Sequence, residues 1–173
     1  LNMFLLKLLL IFSFFSTAGN SNELWKRTDT KEHISFLFPN TVQSLIQESN
    51  GIVSHIYQTK DLTCVFGVVC SDFSNSPLKI TNETTPLIYE QMRQASVGME
   101  SAILKDEKTV PYDNMLIKEI EYSIIKDNYE MTYFKRFIFR DNMVYQISIG
   151  GRSRHREYIL KGREIFFNSI QFK

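Results

Sequence analysis

The chain has 173 residues, an apolar content of 43%, a charged content of 23% and a formal net charge of +1. This length predicts one domain with one substantial core, and the composition excludes an intrinsically disordered chain. The near-neutral charge balance gives no reason to expect a nucleic-acid partner. Fourteen Phe and eight Tyr residues predict a core rich in aromatic side chains, which is typical of folds dominated by strands.

The first element in chain order is a candidate secretory signal peptide at residues 1–18. A short segment carrying Lys7 precedes an apolar run at residues 8–15, and small residues follow it up to Ala18. This succession is typical of exported proteins, and we expect cleavage after Ala18. A retained membrane anchor is the alternative, but the apolar run falls well short of the ~20 residues that span a bilayer. The mature chain is then predicted to have no transmembrane segment.

After a predicted linker at residues 19–24, residues 25–173 are predicted to form a single domain. Its first strand is predicted at residues 33–38, where apolar side chains alternate until a proline ends the run. Residues 52–59 and 62–71 predict two more strands, which a tight turn joins. The last of these is apolar on both faces, so we expect it inside a sheet that is covered on both sides.

Both cysteines lie in that apolar strand. Cys64 and Cys70 are six residues apart, which puts them on one face of the strand with Cα atoms about 20 Å apart at ~3.3 Å per residue. A disulfide needs Cα atoms roughly 4.4–6.8 Å apart, so we predict buried free thiols. No histidine lies near the two cysteines in sequence, and we predict neither a metal site nor any other cofactor.

A long helix is predicted from Thr85 to about Leu104. Thr85 is expected to be the N-cap, with Pro86 at the first helical position, where its missing N–H costs nothing. Apolar residues then recur at intervals of four and three along one stripe: Ile88, Met92, Ala95, Met99 and Ala102. Such a stripe is typical of an amphipathic helix. Residues 110–114 are expected to break the chain before the next strand.

Three strands with tight turns are predicted next. Residues 115–126, 129–140 and 143–150 alternate between apolar and other side chains. The Asp-Asn pairs at 127–128 and 141–142 separate them, and such pairs favour hairpin turns. The three segments therefore predict an antiparallel meander.

A second helix is predicted at residues 155–168. Its apolar side is expected to carry four residues: Tyr158, Ile159, Ile165 and Phe166. The order of strands, helix, meander and helix predicts an α+β fold, in which helices pack on the faces of a central antiparallel sheet.

Several segments together resemble one known superfamily. They are Trp25, residues 34–39, the long central helix, and residues 136–140, 143–148 and 167–172. This pattern is similar to that of the PsbP-like superfamily, which includes subunits of the oxygen-evolving complex, a Ran-binding nuclear import factor and DcrB-type bacterial envelope proteins. The resemblance covers residues 25–173 and implies a central antiparallel sheet with helices on both faces, in agreement with the element order.

The resemblance also implies a class of function. Members of the superfamily mostly serve as accessory or binding proteins, and no shared catalytic constellation maps onto this chain. We therefore expect an exported, non-enzymatic accessory protein of the bacterial cell envelope, periplasmic or secreted, that contacts an envelope protein or another copy of itself. A carrier of a small anion or lipid is the alternative, and a hydrolase of unknown class is a further one.

The candidate binding site is the basic segment between the last strand and the last helix. It comprises Arg152, Ser153, Arg154, His155 and Arg156, directly after two glycines. Ser153 is expected to be the N-cap of the helix, whose exposed N–H groups favour an anion. The Gly-Lys-Ser/Thr ending of a phosphate-binding loop is missing, which excludes a nucleotide site of that kind. We expect a loop that presents a basic corner to an acidic partner or to envelope phosphate.

Residues with catalytic chemistry give weaker patterns. Ser153 has a glycine on one side only and so lacks the nucleophile-elbow pattern, and its spacing from His155 does not indicate a catalytic pair. His33, His55 and His155 lie in three different elements. No metal-binding spacing relates them, and we interpret them as surface or hairpin residues.

Charge is unevenly distributed along the chain. Glu119 and Glu121 share one strand face with Cβ atoms about 7 Å apart, a spacing that suits acid–base chemistry, although a solvated strand face is the commoner cause. Residues 135–173 carry nine Lys or Arg against three acids, whereas residues 82–130 carry ten acids against five bases. Two interpretations stay open: the two signs occupy different surfaces and suit a polar partner, or they neutralise each other within the fold.

Overall fold

The computed structural model describes residues 25–98, 101–112 and 115–173. The predicted signal peptide, the predicted linker and Met99 lie outside these residues. The elements in chain order are β1 (Lys26–Asp29), β2 (Ile34–Phe38), β3 (Gln43–Ser49), β4 (Ile52–Lys60), β5 (Cys64–Asp72), α1 (Thr85–Val97), β6 (Ala102–Tyr112), β7 (Met115–Lys126), β8 (Tyr129–Arg140), β9 (Met143–Arg152), α2 (Arg156–Asn168) and β10 (Gln171–Phe172). Within this part of the chain, no helix is long and apolar enough to cross a membrane.

The strands form two antiparallel sheets. The larger sheet has seven strands in the order β3-β4-β5-β9-β8-β7-β6, and the smaller has the order β1-β2-β10. Helix α1 packs on one face of the large sheet, while α2 and the small sheet pack on the other. This arrangement confirms the predicted α+β architecture with helices on both faces of a central antiparallel sheet.

The larger core lies between the large sheet, α2 and the small sheet. Phe166 of α2 is at its centre, with ring centroids 5.4 Å from that of Phe38 in β2 and 5.5 Å from that of Phe66 in β5. Trp25 covers the edge of this core, with its ring 5.3 Å from that of Phe66. Burial of each large side chain contributes about 1.5–3 kcal/mol to stability, so these aromatic rings tie α2 and the small sheet to the large one.

A second, smaller core lies under α1. Ile88 and Met92 of α1 pack against Ile120 of β7, and the Tyr89 ring meets that of Phe137 in β8 at 5.4 Å. Within the bounds of α1, the predicted apolar stripe therefore faces the sheet.

The meander agrees with the predicted turns. β7 and β8 have the predicted bounds, and the residues between them, Asp127 and Asn128, adopt positive φ angles of 48° and 68°. Asp141, after β8, also has a positive φ, of 53°. Asp and Asn tolerate this left-handed conformation better than other non-glycine residues, which explains why these pairs close the hairpins.

The predicted extent of the first helix is wrong. α1 ends at Val97, and residues 102–112, predicted to hold the helix end and a chain break, form the edge strand β6. An edge strand tolerates Pro111, whose nitrogen has no proton to donate to a neighbouring strand. The N-cap is also wrong: it is Thr84, without a side-chain capping hydrogen bond, and Thr85 is already helical.

Besides β6, three strands were not predicted, and the buried face of α2 was predicted only in part. β1 and β10 are short, and β3 is mostly polar, so none gives a strong alternation. In α2, Ile159 and Phe166 are buried as predicted, whereas Tyr158 and Ile165 are exposed. The buried side continues instead through Gly162 and Phe167, because the helix lies flat on the sheet along that line.

The two thiols are free and buried, as predicted. β5 lies inside the large sheet between β4 and β9. Burial raises the pKa of Cys64 to about 12 and also raises that of Cys70, so both thiols stay protonated at neutral pH. The strand is fully covered only on the α2 side, because Val65 and Val69, on the other face, are partly exposed.

Candidate functional site

The basic segment continues a strand and starts a helix. β9 runs two residues beyond its predicted end, to Arg152, and a 3-10 turn, Ser153–His155, leads into α2. The prediction that Ser153 is the N-cap of this helix is wrong. The N-cap is His155, without a side-chain capping hydrogen bond, and the hydroxyl of Ser153 instead lies 2.7 Å from that of Thr132 in β8.

The two glycines before this segment are needed for packing. A Cβ atom on Gly150 would lie 2.3 Å from the Tyr133 ring, and one on Gly151 would lie 2.8 Å from the carbonyl oxygen of Thr63. The glycines therefore let a tyrosine ring and a neighbouring backbone approach β9 closely. This accounts for the Gly-Gly pair without an anion-binding loop.

The side chains of the basic segment have different surroundings. The guanidinium of Arg152 lies over the Tyr129 ring, 4.2 Å from its centroid. Nε of Arg154 donates a hydrogen bond to Nε2 of His155 at 3.1 Å. All the arginines of the segment are exposed, but in the described residues neither Arg152 nor Arg154 forms an ion pair with a carboxylate. We call these two arginines the basic corner.

Arg156, in contrast, is turned toward the sheet. It donates to Glu121 of β7 at 2.5 Å, and its guanidinium lies over the Phe134 ring at 5.5 Å. The hydrogen bond to Glu121 raises the pKa of Arg156. One predicted binding residue thus neutralises one member of the predicted acidic pair.

The other acid of that pair is buried, so the expected solvated strand face is wrong for this residue. Glu119 is 4% exposed and accepts hydrogen bonds from Arg136 in β8 and Arg163 in α2, the latter at 2.8 Å. Lys108 of β6 lies 3.4 Å from the same carboxylate. Burial by itself would raise the pKa of Glu119, but the arginine hydrogen bonds and charges outweigh it and lower that pKa.

A cavity of about 50 Å³ lies beside this carboxylate. Its lining residues are Asp106, Lys108, Glu119, Ile120, Glu121, Phe134, Arg163 and Phe167. A cavity of this volume holds a few water molecules and is far smaller than the ~300 Å³ of a pocket for an organic ligand. The charged groups around it serve as counterions to one another. The pairing of Glu119 and Glu121 with arginines also supports the interpretation that opposite charges are neutralised within the fold.

A hydrogen-bonded cluster that the sequence did not indicate lies between β4 and the loop before β2. Nδ1 of His55 is 2.9 Å from a Glu32 oxygen and 2.7 Å from the Tyr57 hydroxyl, which donates to the other Glu32 oxygen at 2.8 Å. His55 lies in β4, a strand of two hairpins, which agrees with its interpretation as a surface or hairpin residue, but its side chain is only 15% exposed and is hydrogen-bonded. Two-residue spacing places His55 and Tyr57 on one strand face, but no local pattern points to Glu32.

This cluster orients an imidazole, as carboxylates do at many catalytic histidines. The cysteine opposite His55 in the sheet, Cys70, is buried and its thiol is protonated. Tyr145 also donates to the backbone carbonyl of Glu32 at 2.7 Å, so the cluster holds the loop before β2 against the large sheet. Within the described ranges, no group of three or more His, Cys, Asp or Glu side chains is arranged to hold a metal ion.

A buried lysine is the second feature that was not expected to form a site, although the alternation of β8 places it on the apolar face. Lys135 of β8 occupies the apolar face of its strand, is 6% exposed and donates to the hydroxyl of Ser96 in α1 at 2.9 Å. Ser96 in turn donates to the carbonyl of Met92 at 3.1 Å. Burial lowers the pKa of Lys135 to about 7, because the low-dielectric interior disfavours the ammonium form.

The comparisons with known proteins bear on the fold. No protein-family model and no curated protein matches this sequence. The structure is similar to the solution structure of cyanobacterial PsbP (CyanoP) from Synechocystis sp. PCC 6803, with a TM-score of 0.59 and 17% identity over 92% of this chain and 98% of that one. A crystal structure of a protein of unknown function from Pseudomonas aeruginosa has a TM-score of 0.43 and 12% identity over 81% of this chain and 93% of that one. At 17% identity, the first similarity establishes the fold alone: the chain has a PsbP-like fold, as its resemblance predicted.

Proposed function

We propose that this chain is an exported accessory protein of the bacterial cell envelope, which acts by binding an acidic protein partner through the basic corner. The predicted signal peptide supports export, and the PsbP-like fold suits an accessory role. The proposal names Arg152 and Arg154 as the residues that contact the partner.

The observation that carries the proposal is a difference among the arginines of the C-terminal part. Arg136, Arg156 and Arg163 each bind a carboxylate of β7. Arg152 and Arg154 are exposed and have no such counterion among the described residues, so their charges are available to an outside group. Uncompensated cations that face solvent steer acidic partners toward a surface and orient them there.

The basic corner is also held in place before any partner arrives. Arg152 pairs with Met131 of β8 at the end of β9, and its guanidinium stacks on the Tyr129 ring. A stacked guanidinium keeps its in-plane N–H groups for a carboxylate, which it binds in a bidentate manner. The bond between Ser153 and Thr132 fixes the turn that carries Arg154. Less side-chain freedom is then lost on binding.

The test is a capture experiment with charge-matched variants. The double variant Arg152→Ala/Arg154→Ala and a control variant, Lys31→Ala/Lys161→Ala, both lose two exposed positive charges. Each purified protein is immobilised and exposed to an extract of the envelope of the source organism. We expect a protein that the wild type and the control retain and that the arginine variant loses.

Two results would overturn the proposal. In one, the arginine variant retains the same proteins as the wild type. In the other, the arginine variant and the lysine control lose the same proteins, because the binding would then depend only on net charge. Circular dichroism of all three proteins checks that the fold is intact.

A further inference from the structure

The two edges of the large sheet differ in how well they are protected. β6 forms one edge and contains Pro111, a register shift between Leu104 and Asp106, and four consecutive charged residues at 105–108. A proline, a bulge and charges are the features by which natural sheets block pairing with another chain. This edge of the sheet is therefore closed to further strands.

The opposite edge has none of these features. β3 has the sequence QSLIQES, with one charged residue and no proline, and its seven residues pair with β4 in unbroken register. In the described part of the chain, no strand pairs with its outer side. Ile46 stands at the middle of the strand with 56% of its surface exposed. A regular, nearly uncharged edge with a central exposed Ile is a template for one more strand.

From this contrast we propose that β3 pairs antiparallel with β3 of a second copy of the chain, about a two-fold axis that passes beside Ile46. The pairing joins the two seven-stranded sheets into one continuous sheet. The interaction lies outside the basic corner and does not depend on the function proposed for it.

The sequence of β3 is complementary to itself in this register. Because Ile46 is the fourth of seven residues, the axis places it opposite Ile46 of the second copy, so the two exposed apolar side chains cover each other. The same register places Leu45 opposite Gln47, and Glu48 opposite Ser44. Apolar residues that face each other across the strands stabilise an antiparallel pair, whereas like charges directly opposite each other destabilise it. This register contains no directly opposed like charges.

Charge repulsion in this register is small. The two copies of Glu48 are offset by four residues along the strands, which is about 14 Å at ~3.4 Å per residue. That separation exceeds the Debye length of about 8 Å at physiological ionic strength, so salt screens the repulsion between these exposed carboxylates. A strand from an unrelated partner would need its own match to this pattern, whereas a second copy provides it by symmetry.

The first test measures the mass of the protein in solution by sedimentation velocity. We expect a dimer for the wild type and a monomer for Ile46→Lys, which would place two cations directly opposite each other. Ile125→Lys is the matched control, because Ile125 of β7 has the same exposed fraction of 56% and lies away from the edge. This control is expected to remain a dimer.

The second test checks the register without relying on a disruptive variant. Directly opposite residues of an antiparallel pair have Cα atoms about 4.5–5.5 Å apart, a distance that a disulfide tolerates. Ile46→Cys is therefore expected to form a disulfide-linked dimer on mild oxidation. Ser44→Cys is exposed too, but its two copies lie about 14 Å apart at four residues of offset, and it is expected not to cross-link.

Each remaining outcome contradicts the proposal. A monomeric wild type shows that the edge stays unpaired. A dimer that survives Ile46→Lys, or that Ile125→Lys also disrupts, shows that another surface holds the copies together. Equal cross-linking of the two cysteine variants shows that the strands do not pair about Ile46. The native thiols do not interfere, because Cys64 and Cys70 are buried.

Discussion

The buried lysine under α1 gives the sharpest stability prediction. We expect Lys135→Met to stabilise the protein at neutral pH, because methionine fills a similar unbranched volume without a group that must lose its charge. The hydroxyl of Ser96, which accepts from Lys135, keeps its own hydrogen bond to the Met92 carbonyl and is not left unpaired. The substitution therefore removes a desolvation cost and leaves no new unsatisfied polar atom on α1.

The magnitude follows from the pKa. An ordinary lysine has a pKa of 10.5, whereas burial lowers that of Lys135 to about 7. Each unit of difference corresponds to about 1.4 kcal/mol, so the folded protein is destabilised by at most about 5 kcal/mol relative to one with a neutral side chain. Relaxation of the helix around the ammonium group reduces this figure, so we expect a gain of a few kcal/mol in the free energy of unfolding.

The pH dependence gives the test its sign. The full desolvation cost of Lys135 applies below pH 7, where the lysine is charged in both the folded and the unfolded protein. Between pH 7 and 10.5 the unfolded wild-type chain binds one more proton than the folded one. The free energy of unfolding of the wild type therefore rises by about 1.4 kcal/mol per pH unit relative to that of Lys135→Met. Above pH 10.5 the difference from this cause vanishes. Urea unfolding of both proteins at several pH values measures it, and a difference that stays constant from pH 7 to 10 would falsify the reasoning.

Other groups near Lys135 contribute little to this difference. Charged groups on the same side of the sheet include Lys118 of β7, Arg93 of α1 and Glu107 of β6, of which the last two pair with each other. The pKa values of the two nearby tyrosines, Tyr122 and Tyr133, are raised by burial, so both stay neutral. All these groups are present in both proteins, and their titration cancels in the comparison.

Three further predictions concern the ion cluster, the thiols and the glycine of β9. Glu119→Gln is expected to lower the free energy of unfolding by about 3 kcal/mol, because it leaves two arginines without their shared counterion. Glu121→Gln is the control and should lower it by less than about 1 kcal/mol, because its arginine partner is exposed. Equal losses in urea unfolding would contradict this prediction. Cys64 and Cys70 should not react with a thiol reagent in the native protein while the urea-unfolded chain reacts completely, and prompt reaction under native conditions would refute their burial. Gly150→Ala should cost about 2 kcal/mol in thermal or urea unfolding, because the new Cβ would lie 2.3 Å from a tyrosine ring, and an unchanged midpoint would show that this ring moves freely.

The sequence predicted much of the fold but less of the site. The meander followed from local signals, namely two-residue alternation and the Asp-Asn turns, which act over a few residues. The extent of α1 did not, because Ala102 happens to continue its apolar stripe although it opens an edge strand. No local alternation marks residues 102–112 as a strand, and only their pairing with β7 decides it.

The candidate site shows the same division more clearly. The basic segment at 152–156 was visible as a run of like residues, and it stays the candidate binding surface. The ion pair between Arg156 and Glu121 was not visible, because the two residues are 35 positions apart in sequence. For the same reason, the sequence did not show that the basic corner remains without a counterion. Charge counts along the chain do not show which ion pairs the fold completes.

By itself, the sequence determined the class of fold, the meander with its turns, the burial of both cysteines and a basic segment before the last helix. These features depend on periodicity, turn chemistry and strand geometry, which act within one element. The tertiary structure alone decided that Glu119 is buried between two arginines, that Glu32 joins His55 and Tyr57, and that β3 is an open edge. These features depend on contacts between distant residues, and such contacts exist only once the sheet has assembled.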